Sequence, residues 1–151
     1  MSDRLRRIFR AMATNEQLLE FLGRVDLFED LSKADLKRIL GSSKELTFDA
    51  GEDVVTQHGR GGRFYLVTEG EALVEVNGRP NRLVEVGDYF GEMSLIDGEP
   101  RSATVTARTP LRTLTLASFS FRPLMMKHPS ITQKLLVAMT RRVRGMDRDS
   151  I

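Results

Sequence analysis

An acidic and a basic side chain stand nine residues apart in the stretch FGEMSLIDGEPRSATV, which runs from Phe90 to Val105. Gly98 and Pro100 lie between Glu92 and Arg101, and both residue types turn the chain and restrict its path. An arginine guanidinium binds phosphate or carboxylate through two parallel hydrogen bonds. The spacing therefore predicts a short, stiff loop that presents one guanidinium and one carboxylate to the same ligand.

Gly91 precedes a predicted helical turn, in which the backbone N–H groups of residues 92–95 lack partners within the helix. Such amides attract an anion, and glycine allows the ligand to approach the backbone closely. A carboxylate repels phosphate, so Glu92 fits this site only if it accepts hydrogen bonds from a neutral group such as a ribose hydroxyl. A 3′,5′-cyclic nucleotide accounts for both side chains, because it combines a singly charged phosphate with a free 2′-hydroxyl.

The elements that must hold this loop change in character along the chain. Capping patterns at Thr14 and Ser32 predict two short helices that end at Gly23 and Gly41. From Lys44 to Leu116 the apolar residues alternate in short runs, broken by turn residues about every eight to twelve positions. This alternation is typical of an all-β sandwich or barrel.

The clearest hairpin lies within LVEVNGRPNRLVEV. Asn77 and Gly78 readily adopt the positive φ angles of a two-residue turn, and valines and leucines flank them in alternation. Pro80 follows closely, and we expect it to make the loop slightly longer than two residues.

The chain returns to a helical pattern after the β region. Ser118 is a predicted N-cap for a helix in which Pro123 lies in the first turn or causes a kink. Pro129 is predicted to begin a longer helix that reaches about Arg144 and stops at Gly145. The predicted order is therefore helices, a β-barrel and helices.

Composition excludes several function classes. The length of 151 residues suits one domain, and 23 basic against 21 acidic residues leave a net charge of +2, too small an excess to indicate nucleic acid. The absence of cysteine excludes disulfides, thiolate metal sites and cysteine nucleophiles. His58 and His128 are the only histidines and do not share a metal-ligand spacing, so we expect neither a metal site nor a Ser-His-Asp centre.

The first dozen residues, MSDRLRRIFRAM, are rich in arginine and amphipathic. A transit peptide or a membrane-surface helix has similar features. Asp3 interrupts the positive run, however, and no apolar stretch is long enough to span a membrane. We therefore expect a helix that packs on the protein's own surface through an apolar stripe, in a cytoplasmic protein without a membrane partner. The stripe comprises Leu5, Ile8, Phe9 and Met12.

The stretch from Phe90 to Val105 resembles the phosphate-binding cassette of cyclic-nucleotide-binding domains, as in protein kinase A regulatory subunits, catabolite activator proteins and cyclic-nucleotide-gated channels. LFEDLSKADLKRIL, FDAGEDVV and FYLVTEGEALVEV resemble earlier segments of that family, so the resemblance covers roughly Leu27 to Arg144. It implies a mainly β fold class with flanking helices. The expected core is an eight-stranded antiparallel β-roll (a double-stranded β-helix or jelly roll) with N-terminal and C-terminal helices.

The resemblance also divides the chain into an N-terminal helical segment at 1–26, a cyclic-nucleotide-binding domain at 27–145 with C-terminal lid helices, and a tail at 146–151. It implies that Glu92 accepts from the ribose 2′-hydroxyl and that Arg101 clamps the cyclic phosphate. Backbone N–H groups complete the predicted cradle, namely those of Gly91, Met93, Ser94 and Ser102.

Two further positions bear on the ligand. In the family, alanine after the arginine accompanies cAMP and threonine accompanies cGMP; Ser102 lies between these, and the prediction is cAMP with cGMP as the alternative. The segment HGRGGR departs from the family pattern, which has a glycine near His58 and an acid near Gly62. This departure leaves the local loop conformation open.

The family closes its pocket with an apolar or basic residue of the last helix. Leu135, Met139 and Arg142 follow one line of the predicted helix. A lid over the base and ordinary packing remain open alternatives for this line.

The predicted function is a non-catalytic sensor module that binds a 3′,5′-cyclic nucleotide, most readily cAMP, and then moves its C-terminal helices. It is not an enzyme and needs no cofactor or metal. Expected partners are the nucleotide and either an unknown protein effector or a second copy through the terminal helices, but no nucleic acid. The alternatives are the sensor half of a DNA-binding transcription regulator and an interaction or scaffold domain with a vestigial pocket.

Overall fold

The computed structural model describes residues 14–149, with side chains to residue 145. The predicted helix over the first dozen residues lies outside this range, as do the last two residues of the tail.

Two short helices and a 3₁₀ turn come first: α1 (Asn15–Arg24), the 3₁₀ turn (Asp26–Phe28) and α2 (Lys33–Ser42). The first five strands are β1 (Lys44–Phe48), β2 (Asp53–Val55), β3 (Arg63–Glu69), β4 (Ala72–Val76) and β5 (Arg79–Val84). The remaining elements are β6 (Tyr89–Phe90), α3 (Glu92–Asp97), β7 (Thr104–Ala107), β8 (Leu111–Ala117), α4 (Ser118–Lys127) and α5 (Pro129–Asp149).

The strands form two four-stranded sheets, ordered β1-β8-β3-β6 and β2-β7-β4-β5. Each pair of neighbouring strands is antiparallel. Helices lie at both ends of this β-roll. The predicted fold class, an eight-stranded antiparallel β-roll with flanking helices, is confirmed.

The central strand β3 contributes side chains to two separate hydrophobic cores. Successive side chains of a strand point to opposite faces. Phe64 and Leu66 belong to the core that β3 and β8 share with the helices. Tyr65 and Val67 belong to the core between the two sheets. Both faces of β3 are therefore buried, which accounts for its nearly continuous apolar sequence.

The two N-terminal helices begin where local capping predicts. The Thr14 side chain and the Gln17 side chain form a reciprocal capping box at α1. Ser32 Oγ accepts from the backbone N–H of Asp35 at the start of α2. Both helices end one residue beyond the predicted glycines, at Arg24 and Ser42. None of the helices in residues 14–149 is long and apolar enough to span a membrane.

The predicted effect of Pro80 on the hairpin is wrong. Val76 pairs directly with Arg79, so the turn contains only Asn77 and Gly78, with φ angles of 53° and 76°. Pro80 lies instead in β5, the edge strand of its sheet, where the register shifts. A proline is tolerated there because an edge strand leaves one row of N–H groups unpaired.

The predicted cap and stop of the C-terminal helices are also wrong. Ser118 is the first residue of α4 rather than its cap, and no side chain caps this helix. Pro123 therefore lies inside α4 rather than in its first turn. Helix α5 passes through Gly145 to Asp149, because a glycine costs a helix only about 1 kcal/mol unless it adopts positive φ, which Gly145 does not.

Candidate ligand site

The sequence FGEMSLID forms a strand end, a left-handed glycine and a short helix. Gly91 has a φ of 92° and immediately precedes α3, whose amino end has no side-chain cap. A Cβ atom at Gly91 would lie 2.5 Å from the Arg63 carbonyl oxygen and 2.7 Å from Arg101 Nη1. Glycine is therefore required here both by the backbone conformation and by the close approach of Arg101.

Arg101 lies folded against this turn. Its Nη1 donates to the Gly91 carbonyl oxygen at 3.2 Å and its Nη2 to the Arg63 carbonyl oxygen at 2.9 Å. The residue is only 5% exposed, and its Nε atom is buried without a hydrogen-bond partner in the part of the chain that the structure describes. The guanidinium carbon also lies 5.8 Å from the centre of the Tyr65 ring. A buried cation with an unused donor is the arrangement that an anionic ligand stabilises.

The electrostatics of Arg101 agree with this geometry. Burial lowers the pKa of Arg101, while Tyr65 and Glu92 act in the opposite direction. Arginine starts from so high a value that the guanidinium stays charged at physiological pH. Within residues 14–145, no carboxylate forms a salt bridge with Arg101.

Glu92 is also buried, with 2% of its surface exposed. Its Oε1 accepts from Arg142 Nη1, which reaches it from α5, 50 residues later in the chain. The structure thus places Glu92 and Arg101 in one cassette, as predicted, and brings Arg142 of the predicted lid line to the same carboxylate.

The other predicted members of the site lie at different depths. Ser94 lies within α3 and is buried, whereas Met93 and Ser102 are exposed. Ser102 Oγ lies 3.6 Å from Met93 Sδ, so these two residues meet at the surface of the cassette. Their backbone N–H groups remain the predicted contacts with a phosphate.

The three residues of the predicted lid line have different environments in the structure. Leu135 is 1% exposed and belongs to the core of the helices, where it packs with Ile131 and Phe121. Met139 and Arg142 are half-buried. The observed Arg142 contact links α5 to the cassette, while the lid role of Leu135 and Met139 stays a prediction.

Sequence reasoning missed Arg82 and Tyr89, which also interact electrostatically with Glu92. Burial and then the positive charge of Arg142 lower the pKa of Arg82, whereas Glu92 raises it. Burial and then the negative charge of Glu92 raise the pKa of Tyr89. A signal existed for Arg82: it stands two residues before Val84, and period two puts it on the strand face of that buried valine.

The segment HGRGGR reaches the cassette through its backbone. The His58 N–H donates to the Arg101 carbonyl oxygen and the Arg101 N–H to the Gly59 carbonyl oxygen, each at 2.8 Å. His58 holds a φ of 71° in the left-handed region. The resembled family pattern has a glycine near this position, and a left-handed φ is one that glycine adopts more readily than histidine.

Comparison with known proteins assigns this geometry to a family. The cyclic nucleotide-binding domain family matches residues 45–128, more than half of the chain. The chain belongs to the cyclic nucleotide-binding domain family. The matched range contains both sheets of the roll except the first residue of β1, together with the cassette and α4. The predicted resemblance is confirmed, and the chain is a cyclic nucleotide-binding domain of the β-roll type.

Two relatives that are similar to this chain are named as a protein kinase regulatory subunit and as a protein kinase. A cAMP-dependent protein kinase regulatory subunit of Eremothecium gossypii is 36% identical over 128 residues, which cover 82% of this chain and 28% of that protein. A cGMP-dependent protein kinase of Eimeria tenella is 37% identical over 101 residues, which cover 67% of this chain and 10% of that protein. The chain therefore spans less than a third of these relatives.

A solved structure shows the same fold. The structure of cAMP-bound PfPKA-R (141–441) has a TM-score of 0.82 and 20% sequence identity, and the match covers 97% of this chain and 53% of that chain. At this identity the likeness concerns the fold of the domain and its flanking helices.

Proposed function

We propose that this domain is a non-catalytic sensor that binds a 3′,5′-cyclic nucleotide, cAMP in preference to cGMP, between the cassette and α5. Arg101 clamps the cyclic phosphate and Glu92 accepts from the ribose 2′-hydroxyl. Backbone N–H groups of the cassette complete the cradle, namely those of Gly91, Met93, Ser94 and Ser102. The observation that carries this proposal is the buried Arg101 side chain, whose Nε has no hydrogen-bond partner among the described residues.

The bonds of Arg101 explain why an anion fits. Both terminal nitrogens donate to main-chain carbonyl oxygens, which orient the guanidinium without neutralising its charge. A carboxylate partner would have neutralised the positive charge of Arg101 and favoured a purely structural role for this side chain. A phosphate ester beside Arg101 supplies the missing charge and accepts from the unused Nε–H.

Glu92 and Arg142 supply the connection between ligand and helix movement. Glu92 is a predicted sugar contact, and the same carboxylate binds a residue of α5. A nucleotide that touches Glu92 therefore changes the environment of Arg142. Any ligand with unequal affinity for two positions of α5 shifts the population toward the position it prefers.

The domain at 27–145, with the helical segment before it and the tail after it, then acts as the sensing part of a signalling assembly. Its output partner is a protein effector or a second copy of the chain through the terminal helices. Relatives that are named as kinases and kinase regulatory subunits support an effector of the kinase type.

Calorimetric titration with cAMP tests the assignment. We expect the unchanged chain to bind and Arg101→Ala to lose on the order of 2 to 5 kcal/mol, about 30- to 5,000-fold in affinity, since the phosphate loses its cationic partner. Arg108→Ala is the matched control, because Arg108 is an exposed arginine directly after β7. Equal affinity of the Arg101 and Arg108 variants would contradict the proposal, and no binding by the unchanged chain would favour a vestigial pocket.

A second titration tests the sugar contact. Replacing cAMP by 2′-deoxy-cAMP removes one hydrogen-bond donor, and we expect about a 10- to 100-fold loss of affinity for the unchanged chain. Glu92→Ala, which removes the accepting carboxylate, should bind the two ligands within about threefold of each other. The ratio of the two affinities within one variant cancels general effects of the substitution on folding.

A further inference from the structure

The corner between α4 and α5 carries a histidine in a fixed position. His128 is the single residue between the end of α4 and Pro129, the first residue of α5. Its N–H donates to the Leu124 carbonyl oxygen at 2.8 Å, and its own carbonyl oxygen accepts from the Ile131 N–H at 3.0 Å. A following proline also restricts the backbone of the residue before it. The imidazole therefore leaves the chain from a well-defined point.

Asp35 of α2 faces this imidazole. Its Oδ1 lies 3.6 Å from His128 Nε2, and each side chain is 17% exposed. The Nε2 atom is buried and has no hydrogen-bond partner in the part of the chain that the structure describes. The separation is longer than a normal hydrogen bond, so a neutral imidazole gains little from this contact. A protonated imidazole gains more, because opposite charges attract beyond hydrogen-bond distance where water is excluded.

Asp35 keeps its negative charge over a wide pH range. Ser32 Oγ donates to Asp35 Oδ2 at 2.9 Å and accepts from the Asp35 N–H at 3.2 Å. The hydrogen bond from Ser32 is the largest cause of a lowered pKa at Asp35, and burial opposes it. The carboxylate is therefore ionised at neutral and at mildly acidic pH, and only the imidazole changes charge in that range.

Two further cations approach the same carboxylate from α4 and α2. Lys127 Nζ lies 3.6 Å and Arg38 Nη1 lies 3.9 Å from Asp35 Oδ1. Among the described residues, these three side chains are the other charged groups that line the cavity beside the imidazole, between α2 and α4. Lys127 is 56% and Arg38 69% exposed, so solvent screens their charges. On α5, Lys134 pairs instead with Asp30.

Apolar packing already joins the elements on which the two side chains lie. Leu36 and Ile39 of α2 share one buried core with Phe121 of α4 and Ile131 of α5. A charged contact at the edge of this core is therefore not needed to bring the helices together. It changes how firmly the corner is held against α2.

We propose that Asp35 and His128 form a pH-sensitive switch, in which protonation of the imidazole ties the corner between α4 and α5 to α2. The inference goes beyond the proposed function and does not depend on a nucleotide. Histidine side chains ordinarily change charge between about pH 5 and pH 8, and the carboxylate stays negative there. The added attraction is therefore present at mildly acidic pH and disappears as the pH rises past neutrality.

A double-mutant cycle isolates the contact from the other roles of the two residues. Thermal unfolding is measured for the unchanged chain, Asp35→Asn, His128→Gln and the double variant, at about pH 5.5 and about pH 8. We expect the Tm shift of the double variant to depart from the sum of the single shifts by about 2–4 °C at the lower pH. At the higher pH this coupling should fall below about 1 °C, because the imidazole is neutral.

Two control variants separate the imidazole from other charges. Lys127→Gln, combined with Asp35→Asn, tests a cation at the same distance from the same carboxylate. Its coupling should be equal at both pH values, because a lysine side chain stays charged at both. His58→Asn removes the only other histidine, and asparagine tolerates the φ of 71° found at this position. This substitution should leave the pH dependence of the coupling between Asp35 and His128 unchanged.

A distance distribution between α2 and α4 measures the tie directly. The chain has no cysteine, so spin labels can be attached at Lys37→Cys on α2 and Met126→Cys on α4, both exposed positions. We expect a narrower distribution at the lower pH than at the higher pH. With Asp35→Asn added, the widths at the two pH values should be equal. This measurement uses no variant of His128, so it decides the question even if His128→Gln does not fold.

A coupling between Asp35 and His128 that is equal at the two pH values would overturn the switch, since it would show that the two side chains are only neighbours in the fold. Equal widths at the two pH values in the labelled chain that retains Asp35 would overturn it as well, because the corner would then be held independently of the imidazole charge.

Discussion

The guanidinium of Arg142 donates to the carboxylate of Glu92, and this bond joins the last helix to the cassette. The carboxylate side chain is 3% exposed and the guanidinium side chain 32% exposed. The pair therefore combines a fully buried acid with a base that solvent partly screens.

Removal of Arg142 should destabilise the chain because it leaves the buried Glu92 carboxylate without this partner. Breaking a fully buried pair costs about 3–5 kcal/mol, and the partial exposure of Arg142 reduces our expectation for Arg142→Ala to about 1–3 kcal/mol. Urea unfolding measures this loss, with exposed Arg144→Ala as the control. A double-mutant cycle with Glu92→Gln should show coupling of about 1–2 kcal/mol, and strictly additive effects would show that the two side chains do not interact in solution.

Gly91 and Gly98 flank the cassette helix and provide a matched pair of substitutions. Both have positive φ, 92° and 72°, but a Cβ atom would meet Arg63 and Arg101 only at Gly91, whereas nothing lies within 4 Å at Gly98. Gly98→Ala should cost about 1 kcal/mol from backbone strain, and Gly91→Ala about 1–3 kcal/mol more from the displaced arginine. Thermal or urea unfolding gives both values, and equal losses would contradict the close packing of Arg101 on Gly91.

Nucleotide preference should depend on Ser102, which is exposed beside Met93 at the rim of the cassette. If the family association of threonine with cGMP holds here, Ser102→Thr should raise the affinity for cGMP relative to cAMP by about 3- to 10-fold, the contribution of roughly one hydrogen bond. Ser102→Ala should shift the ratio toward cAMP. Competition binding with both nucleotides measures the ratio, and an unchanged ratio in both variants would exclude Ser102 as a determinant.

Asp35 at the start of α2 should contribute to stability at neutral pH and lose that contribution in acid. The hydrogen bond from Ser32 lowers the pKa of Asp35, burial opposes this shift, and the positive charges of His128 and Lys127 add to the lowering. A lowered pKa means that folding favours the ionised form, so the stabilisation is present above the unfolded value of about 3.9 and disappears as the pH falls through the lower folded value. The stability difference between the unchanged chain and Asp35→Asn should therefore shrink between about pH 5 and pH 2, and a difference independent of pH would contradict this role.

The sequence by itself determined the features that depend on neighbours along the chain. Gly91, Glu92 and Arg101 lie within one short segment, so their spacing alone predicted a common cassette. The capping box at Thr14 and the turn at Asn77 were predictable for the same reason, since their hydrogen bonds and φ angles arise within a few residues. Period-two alternation likewise predicted an all-β sandwich or barrel, because each strand must bury one face. The eight-stranded roll followed from the family resemblance.

Only the tertiary structure decided which distant groups meet at the site. The partner of Glu92 lies 50 residues away on α5, and the carbonyl of Arg63 reaches Arg101 across 38 residues. The course of α5 through Gly145 also escaped prediction, because a glycine lowers helix stability by about 1 kcal/mol without imposing an end. Such contacts depend on how helices and sheets pack against each other, and local residue patterns carry no information about the partner that packing will supply.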